Sequence, residues 1–266
     1  SYEGSPVVSL PSAIHLILCL LIGSATAGCY VESPSVDPEV LSARLIDLLV
    51  GADPDMRRTA AEALGKLGRR SARSGVVSAL NDPEARVRAA AALALGRLGA
   101  PESGPALVGL LSDPSGAVRE AAAVALGEIE PTPASQAQIL ARLRTPDVPG
   151  RIAASRALLG LDTISFSDEL TAALRDVDPT VRQGVVAVLG ETGDVRAVPY
   201  LLSLLKTDVN AGVRSEAAFR LGKVGDKRVV ADLVKAAETD TDFVVRGWMR
   251  WALEQIKQSR ESGSGS

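Results

Sequence analysis

The sequence predicts an all-α fold: an α-solenoid of about seven stacked helix pairs. The first observation is a repeat of 31 or 32 residues, with one arginine at the same place in each copy: Arg57, Arg88, Arg119, Arg151, Arg182, Arg214 and Arg246. The second is a leucine seven residues after every one of these arginines, followed by a glycine in five copies. The third is that each period holds two segments with helical patterning. A fixed period of this length is typical of units that bury their apolar faces only by stacking.

Each repeat is predicted to contain a first and a second helix joined by short turns. The first helix is amphipathic, as in "AVPYLLSLLKT" at 197–207. The second begins near Asp-Pro and is rich in alanine, as in "DPEARVRAAAALALGRLG" at 82–99. The Asp side chain can cap free N–H groups, and Pro suits the first helical position. Glycines that allow a left-handed exit from the second helix stand at Gly68, Gly99, Gly193 and Gly225.

The alanines and arginines of the second helix both have structural interpretations. Alanine lets neighbouring helices approach closely, so a large side chain at Ala91 or Ala122 would overpack the stack. We expect the repeated arginines to pair with loop aspartates of the same or the adjacent repeat, and not to form a ladder of anion sites. The candidate aspartates are Asp53, Asp82, Asp113, Asp176, Asp208 and Asp240.

Three of these stretches resemble known repeats. "DPDMRRTAAEALGKLG" (53–68), "DPEARVRAAAALALGRLG" (82–99) and "NAGVRSEAAFRLGKVGD" (210–226) are similar to HEAT repeats, and to the short bacterial type first named from phycobilisome lyase subunits. The resemblance covers about residues 37–257 and implies the solenoid fold, but it implies little about function. The fourth copy, 145–160, departs most, with Thr145 in place of Asp, an extra Pro149, and Gly150 in place of valine. We expect an irregularity or a change of curvature there.

The N-terminal segment has the pattern of an export signal. Residues 13–28 carry no charge and would span about 24 Å as a helix, short of a hydrocarbon core of about 30 Å. Small residues then precede Cys29, and "ATAGC" resembles the signal of a bacterial lipoprotein, which implies that Cys29 is lipidated. The expected location is the bacterial cell envelope, as a periplasmic or outer-membrane lipoprotein. A plain signal or short membrane anchor, and a buried N-terminal helix, are the alternatives.

The chain is therefore divided into four parts. Residues 1–28 are the leader, residues 29–36 a flexible tether, and residues 37–257 the repeat solenoid. Residues 258–266 form a tail whose end, "ESGSGS", has the composition of an added linker.

Composition bears on the classes of function. All 29 Lys and Arg lie from Arg44 onward, whereas four of the 32 acidic residues precede it, so the body is close to neutral. Nucleic-acid binders carry a marked basic excess, so we expect no nucleic-acid partner. His15, Cys19 and Cys29 are the only His and Cys residues, so the body lacks the side chains of Ser–His–Asp and Cys–His catalysis and of His or Cys metal sites. We expect no catalytic residues, no metal, no cofactor and no small-molecule substrate.

The second helices of HEAT-like solenoids line the concave side, which makes their outward positions the candidate binding groove. Counted from the repeated arginine, positions +1, +2, +5 and +9 share one helical face. Position +5 is apolar in most copies, and both tryptophans of the chain lie in the last one. Apolar residues with Trp and Arg nearby are typical of protein-binding surfaces. The predicted groove residues are Arg58, Glu62, Leu93, Arg97, Val124, Ile152, Arg156, Phe219, Lys223, Trp248 and Trp251.

The favoured function is thus a non-enzymatic scaffold or adaptor, exported and membrane-tethered, that binds a protein or peptide on its concave face. Packing that closes the end of the stack is an alternative role for Trp248 and Trp251. Two alternative functions stay open. One is a bilin lyase or isomerase-type subunit, which the repeat type suggests. The other is a nucleic-acid-binding HEAT-like protein.

Overall fold

The computed structural model describes residues 37–162, 164–224 and 227–262, with side chains to residue 258, and contains seven helix pairs and no strand within these ranges. This confirms the predicted α-solenoid. The first helices are α1 (Pro38–Leu48), α3 (Arg73–Ser78), α5 (Gly104–Leu110), α7 (Pro133–Arg142), α9 (Asp168–Ala173), α11 (Val198–Thr207) and α13 (Val230–Thr239). The second helices are α2 (Pro54–Leu67), α4 (Ala85–Arg97), α6 (Gly116–Glu128), α8 (Val148–Leu159), α10 (Pro179–Glu191), α12 (Ala211–Val224) and α14 (Phe243–Ser262).

The helix ends follow the predicted turn chemistry only in part. Asp53 caps α2 by accepting the Asp55 N–H at 2.8 Å, and Pro54 is the first helical residue. By contrast, α4 begins at Ala85, three residues after Asp82, and Glu84 is its N-cap residue. The left-handed exits are confirmed at three glycines, whereas Gly225 lies outside the described residues. The three with positive φ are Gly68 (70°), Gly99 (54°) and Gly193 (63°).

Close contact between second helices holds the stack together. Each second helix contacts the next one far more extensively than each first helix contacts the next first helix. Ala91 and Ala122 are fully buried, as are the repeated leucines Leu64, Leu95 and Leu126. Because the second helices lie closer together than the first ones, the stack bends toward the second helices. The side of the second helices that faces away from the first helices is therefore the inner face of the solenoid.

Glycines at position +8 set this close spacing. A Cβ atom on Gly65 would lie 2.8 Å from the Ala94 Cα, and one on Gly222 would lie 2.7 Å from the Ala252 Cα. Real Cβ atoms do not approach backbone carbon so closely, so only glycine allows this contact. The repeated glycine is therefore a packing residue of the stack.

The fourth repeat is irregular, as expected. The second-helix contacts on both sides of α8 are less extensive than those elsewhere in the stack. Leu159 stands at position +8, where a side chain holds the next helix away, and Gly160 has an ordinary φ of −80°. Residues 161–162 and 164–167 are not helical, and α9, which follows, has only six residues. The second helices are therefore less closely packed at this repeat than elsewhere in the stack.

Several predicted parts of the chain lie outside the described residues. These are the leader at 1–28, the tether at 29–36 with Cys29, and the end of the tail at 263–266. The last helix continues to Ser262, beyond the predicted end of the solenoid at 257. None of the helices in the described ranges has the length and apolar character needed to cross a membrane.

Candidate protein-binding face

The predicted groove residues all lie on second helices, on or beside the inner face. Five of them are exposed: Arg97, Val124, Arg156, Lys223 and Trp248. The other six are partly buried: Arg58, Glu62, Leu93, Ile152, Phe219 and Trp251. The set is thus distributed along the whole stack, and the structure brings only some of its members into contact.

Two charged pairs lie toward the N-terminal and middle parts of this face. Arg58 and Glu62, one turn apart on α2, form an ion pair at 2.5 Å. Arg156 on α8 reaches across to Glu120 on α6, also at 2.5 Å. Within each pair the opposite charges offset each other. Between the two pairs, the inner face offers apolar side chains such as Leu93 and Val124.

Three aromatic rings meet at the C-terminal end of the inner face. Phe219 on α12 stacks on Trp251 of α14, with ring centroids 5.1 Å apart and planes at 26°. Trp248 meets the edges of both, at 5.3 Å from Phe219 and 5.7 Å from Trp251. Offset-stacked and edge-to-face contacts at these distances are the favoured aromatic geometries. We call Phe219, Trp248 and Trp251 the aromatic cluster. Within this cluster, Trp248 is 38% exposed.

Arg220 supports the aromatic cluster and is not among the predicted groove residues. Its side chain is only 9% exposed and forms ion pairs with Glu216, at 2.7 Å, and with Glu191 on α10. Its guanidinium lies 5.1 Å from the centre of the Phe219 ring, and the Lys223 amine lies 5.7 Å from it. Burial alone would raise the pKa of Glu191, but the hydrogen bond from Arg220 and its charge lower it overall.

A signal for Arg220 is present in the sequence. Position +6 of the repeat is alanine in five of the seven copies, and it packs against the glycine at +8 of the preceding repeat. Arg220 stands at this position and lies against Gly190, where a Cβ atom would be 2.4 Å from the Arg220 Cδ. A large charged residue at a position otherwise reserved for small ones marks a local specialisation.

The repeated arginines form a ladder of structural ion pairs, as expected. Five of them bind the aspartate six residues before the arginine of the following repeat. In each, Nε donates to Oδ2 at 2.6–2.8 Å and Nη2 donates to Oδ1 at 2.8–3.0 Å. We call these pairs the arginine ladder: Arg57–Asp82, Arg88–Asp113, Arg151–Asp176, Arg182–Asp208 and Arg214–Asp240. Asp53 is not a member, because its carboxylate caps its own helix.

The remaining guanidinium bonds of the ladder fix each arginine within its own repeat. In all seven copies Nη1 donates to the backbone oxygen six residues earlier, at 2.7–2.9 Å. Bidentate pairing of this kind is among the stronger polar interactions in proteins. The ladder therefore ties each loop to the repeat before it.

The pKa values of the ladder aspartates reflect this pairing. For Asp82, burial alone would raise the pKa, but hydrogen bonds from Arg57 and the Glu84 N–H lower it overall. For Asp240 the hydrogen bond from Arg214 has the largest effect, and the pKa again lies below its usual value. These carboxylates are thus charged in the folded chain. In the ranges that the structure describes, no group of three or more His, Cys, Asp or Glu side chains is arranged to hold a metal ion.

Comparison with known families agrees with this architecture. A family model described as HEAT repeats matches residues 42–117 and 167–254, and a second, described as HEAT repeat, matches residues 104–131. The chain belongs to the HEAT repeat family. No curated protein sequence matches this HEAT repeat chain.

Solved structures similar to this HEAT repeat protein include two with TM-scores above 0.5, which share its fold. The Escherichia coli protein YibA is 21% identical, with 97% of this chain and 100% of that chain covered and a TM-score of 0.53. An archaeal HEAT-like repeats protein from Thermococcus onnurineus is 16% identical over 82% of this chain and 97% of that one, with a TM-score of 0.51. The complex of CpcE and CpcF of phycocyanin lyase from Nostoc gives 20% identity, coverage of 88% and 99%, and a TM-score of 0.46.

Proposed function

We propose that this protein is a non-enzymatic scaffold that binds a polypeptide along the inner face of its solenoid. The observation that carries the proposal is the aromatic cluster, in which Phe219 and Trp251 are partly buried and hold Trp248 at the surface. Tryptophan and arginine dominate the binding energy of many interfaces, and anchors that are already ordered lose little side-chain entropy on binding. Membership of the HEAT repeat family supports a scaffold role.

A photo-crosslinking amino acid, placed on one face of the solenoid at a time, tests which face binds the partner. The crosslinker replaces Val124 on the inner face, or Val234 on the first helix α13; both side chains are 42% exposed. A partner on the inner face is crosslinked from position 124 and not from position 234. Equal crosslinking from both positions contradicts the proposal.

Substitution of Trp248 then tests the anchor. Trp248→Ala should reduce the crosslinking from position 124 by about tenfold or more. The reason is that interface tryptophans commonly contribute roughly 2 kcal/mol or more to the binding free energy. The matched control is Phe243→Ala at the start of the same helix, where the ring is 75% exposed and outside the aromatic cluster. Equal loss in both variants would show that the aromatic cluster has no special role. A salt-dependent affinity for DNA, also abolished by Trp248→Ala, would replace the protein partner by nucleic acid.

Export and tethering to a membrane belong to the same proposal. They are supported by the uncharged run at 13–28 and by the small residues that precede Cys29. The intact mass of the protein isolated from membranes tests them. Loss of residues 1–28 together with added acyl chains on Cys29 is the expected result, and an unmodified chain in the soluble fraction contradicts it.

A further inference from the structure

The arginine ladder is interrupted between the third and fourth repeats. Arg119 has the same position in its repeat as the five ladder arginines, and its Nη1 makes the same bonds, to the backbone oxygens of Asp113 at 2.7 Å and Pro114 at 3.1 Å. The residue six positions before Arg151, which should supply the carboxylate, is Thr145. Its hydroxyl donates instead to the Arg142 backbone oxygen at 2.9 Å. Arg119 forms no ion pair within the described part of the chain.

The backbone at Thr145 is nevertheless in the usual place. Its carbonyl oxygen accepts the Arg151 Nη1 at 2.9 Å, as the carbonyl of each ladder aspartate does for its own arginine. The interruption is thus a missing carboxylate in an otherwise conserved geometry within the stack. The Nε and Nη2 edge of Arg119, which elsewhere binds an aspartate, has no carboxylate in front of it.

One acidic side chain of the fourth repeat, Asp147, has a charge that interacts with Arg119 without forming an ion pair. The pKa of Asp147 lies below its usual value, mainly through its interaction with the Ser112 hydroxyl, and the charges of Arg119 and Arg142 contribute to this lowering. Ser112 in turn accepts from Arg142 at 2.9 Å. Asp147 is the N-cap residue of α8 without a side-chain capping bond, and it forms no ion pair with Arg119. It therefore does not replace the missing ladder aspartate.

A cavity of about 250 Å³ opens beside Arg119. It is lined by Arg119 and Glu120 from α6 and by Pro149, Ile152 and Arg156 from α8. Ile152 and Arg156 are groove residues, so the cavity opens on the inner face. Glu120 is bonded to Arg156, so the guanidinium of Arg119 is the charged group among these lining residues that forms no ion pair.

We propose that Arg119 binds a carboxylate of the polypeptide held on the inner face. The carboxylate, from an Asp or Glu side chain or from a chain terminus, takes the place that an aspartate of the next repeat has in the ladder. Five copies of this interaction within the molecule define its geometry, and the Nη1 bonds hold Arg119 in position before the ligand arrives, so little side-chain entropy is lost on binding. The inference rests on the proposed function for the source of the carboxylate.

Small probes test the site without the partner. Chemical shifts of the arginine Nε–H groups are followed by NMR during titration with N-acetyl-glutamate N-methylamide, and in a separate arm with N-acetylglycine, which represents a chain terminus. N-acetyl-glutamine N-methylamide is the neutral control. The expected result is a saturable shift of Arg119 with one or both carboxylates and none with the amide, while Arg88, already paired, does not respond. A response of Arg119 no larger than that of exposed Arg97 overturns the proposal.

Restoring the ladder provides the decisive variant. Thr145→Asp should place a carboxylate against Arg119, raise the melting temperature and weaken probe binding by about tenfold or more, the effect of one charge-assisted bidentate bond. Thr145→Asn matches the aspartate in size without its charge and should keep probe binding. Undiminished binding in Thr145→Asp overturns the proposal. Because the probes are too small to reach the aromatic cluster, a negative result here leaves the Trp248 test of the scaffold function independent.

Discussion

At the scale of single residues, the same dipeptide has two roles that depend on its distance from the repeated arginine. Asp53-Pro54 and Asp178-Pro179 stand four and three residues before it and cap the second helix. Asp82-Pro83 and Asp113-Pro114 stand six and five residues before it, and there the aspartate binds the arginine of the preceding repeat. Spacing, and not the motif alone, decides whether the carboxylate serves its own helix or the neighbouring one.

Removal of one ladder arginine should destabilise the fold, because the carboxylate of its aspartate partner is left buried and unpaired. Arg88→Met leaves the Asp113 carboxylate, whose side chain is 6% exposed, without its bidentate partner. The expected loss in the free energy of unfolding is about 3 kcal/mol. Arg119→Met is the matched control, since it loses only the Nη1 bonds and should cost about 1 kcal/mol. Urea unfolding measures both, and equal losses would show that the ion pair contributes nothing beyond the backbone bonds.

The ladder also predicts how stability depends on pH. The pKa values of its aspartates are lower in the folded chain than the value of about 3.9 in an unfolded one. A lowered pKa contributes stability above the unfolded value, and that contribution is lost as pH falls through the folded value. The urea concentration at the unfolding midpoint should therefore decrease as the pH is lowered below about 4. Asp113→Asn, which lacks one of these carboxylates, should show a smaller decrease. A midpoint constant between about pH 6 and pH 3 would contradict this.

At the scale of the helices, the spacing between second helices decides which side chains meet. The approach of α12 to α14 requires Gly222, and the same approach brings Phe219 onto Trp251. Arg220 then fits beside Gly190, where the neighbouring helix has no side chain. Packing of the stack and assembly of the aromatic cluster are therefore consequences of one feature, the glycine at position +8.

Gly222→Ala should disturb both at once. The added Cβ would lie 2.7 Å from the Ala252 Cα, so α14 has to move, and overpacking of this kind costs roughly 1–3 kcal/mol. Both tryptophans of the chain lie in the aromatic cluster, so their emission should shift to longer wavelength as Trp251 is separated from Phe219. Gly109→Ala is the control: nothing lies within 4 Å of its added Cβ, and alanine in a helix should stabilise by about 0.5–1 kcal/mol. Unchanged emission in Gly222→Ala would separate the packing of the stack from the cluster.

The helix pairs were predictable because their signals are local and repeated. Arginine and leucine at a fixed offset identify each second helix, even in the divergent fourth copy, and a glycine follows the leucine in five copies. The contacts of the inner face were less predictable from the sequence. Phe219 and Trp251 share position +5, but their stacking depends on the distance between two helices. Arg220 was missed because its partner Glu191, on α10, becomes a neighbour only through that packing, whereas Glu216 lies one turn earlier on the same helix.

At the scale of the whole molecule, one interface of the solenoid lacks a ladder ion pair. Between the third and fourth repeats the ladder has no ion pair, because Thr145 stands where the aspartate would be, and the second helices α6 and α8 contact each other less than most neighbouring second helices do. In a repeat protein each interface contributes separately to the stability of the stack. The weaker coupling divides the chain into an N-terminal block of three repeats and a C-terminal block of four.

The two blocks should therefore unfold separately. Tryptophan emission reports only on the last repeat, which contains Trp248 and Trp251, whereas far-ultraviolet circular dichroism reports on all helices. In urea, the two signals should give transitions that do not coincide, because loss of one block leaves the other folded. Thr145→Asp should bring the transitions together by adding the missing ion pair between the blocks, and Thr145→Asn should not. Coincident transitions in the unmodified chain would mean that this interface couples the blocks as strongly as the others, despite its missing carboxylate.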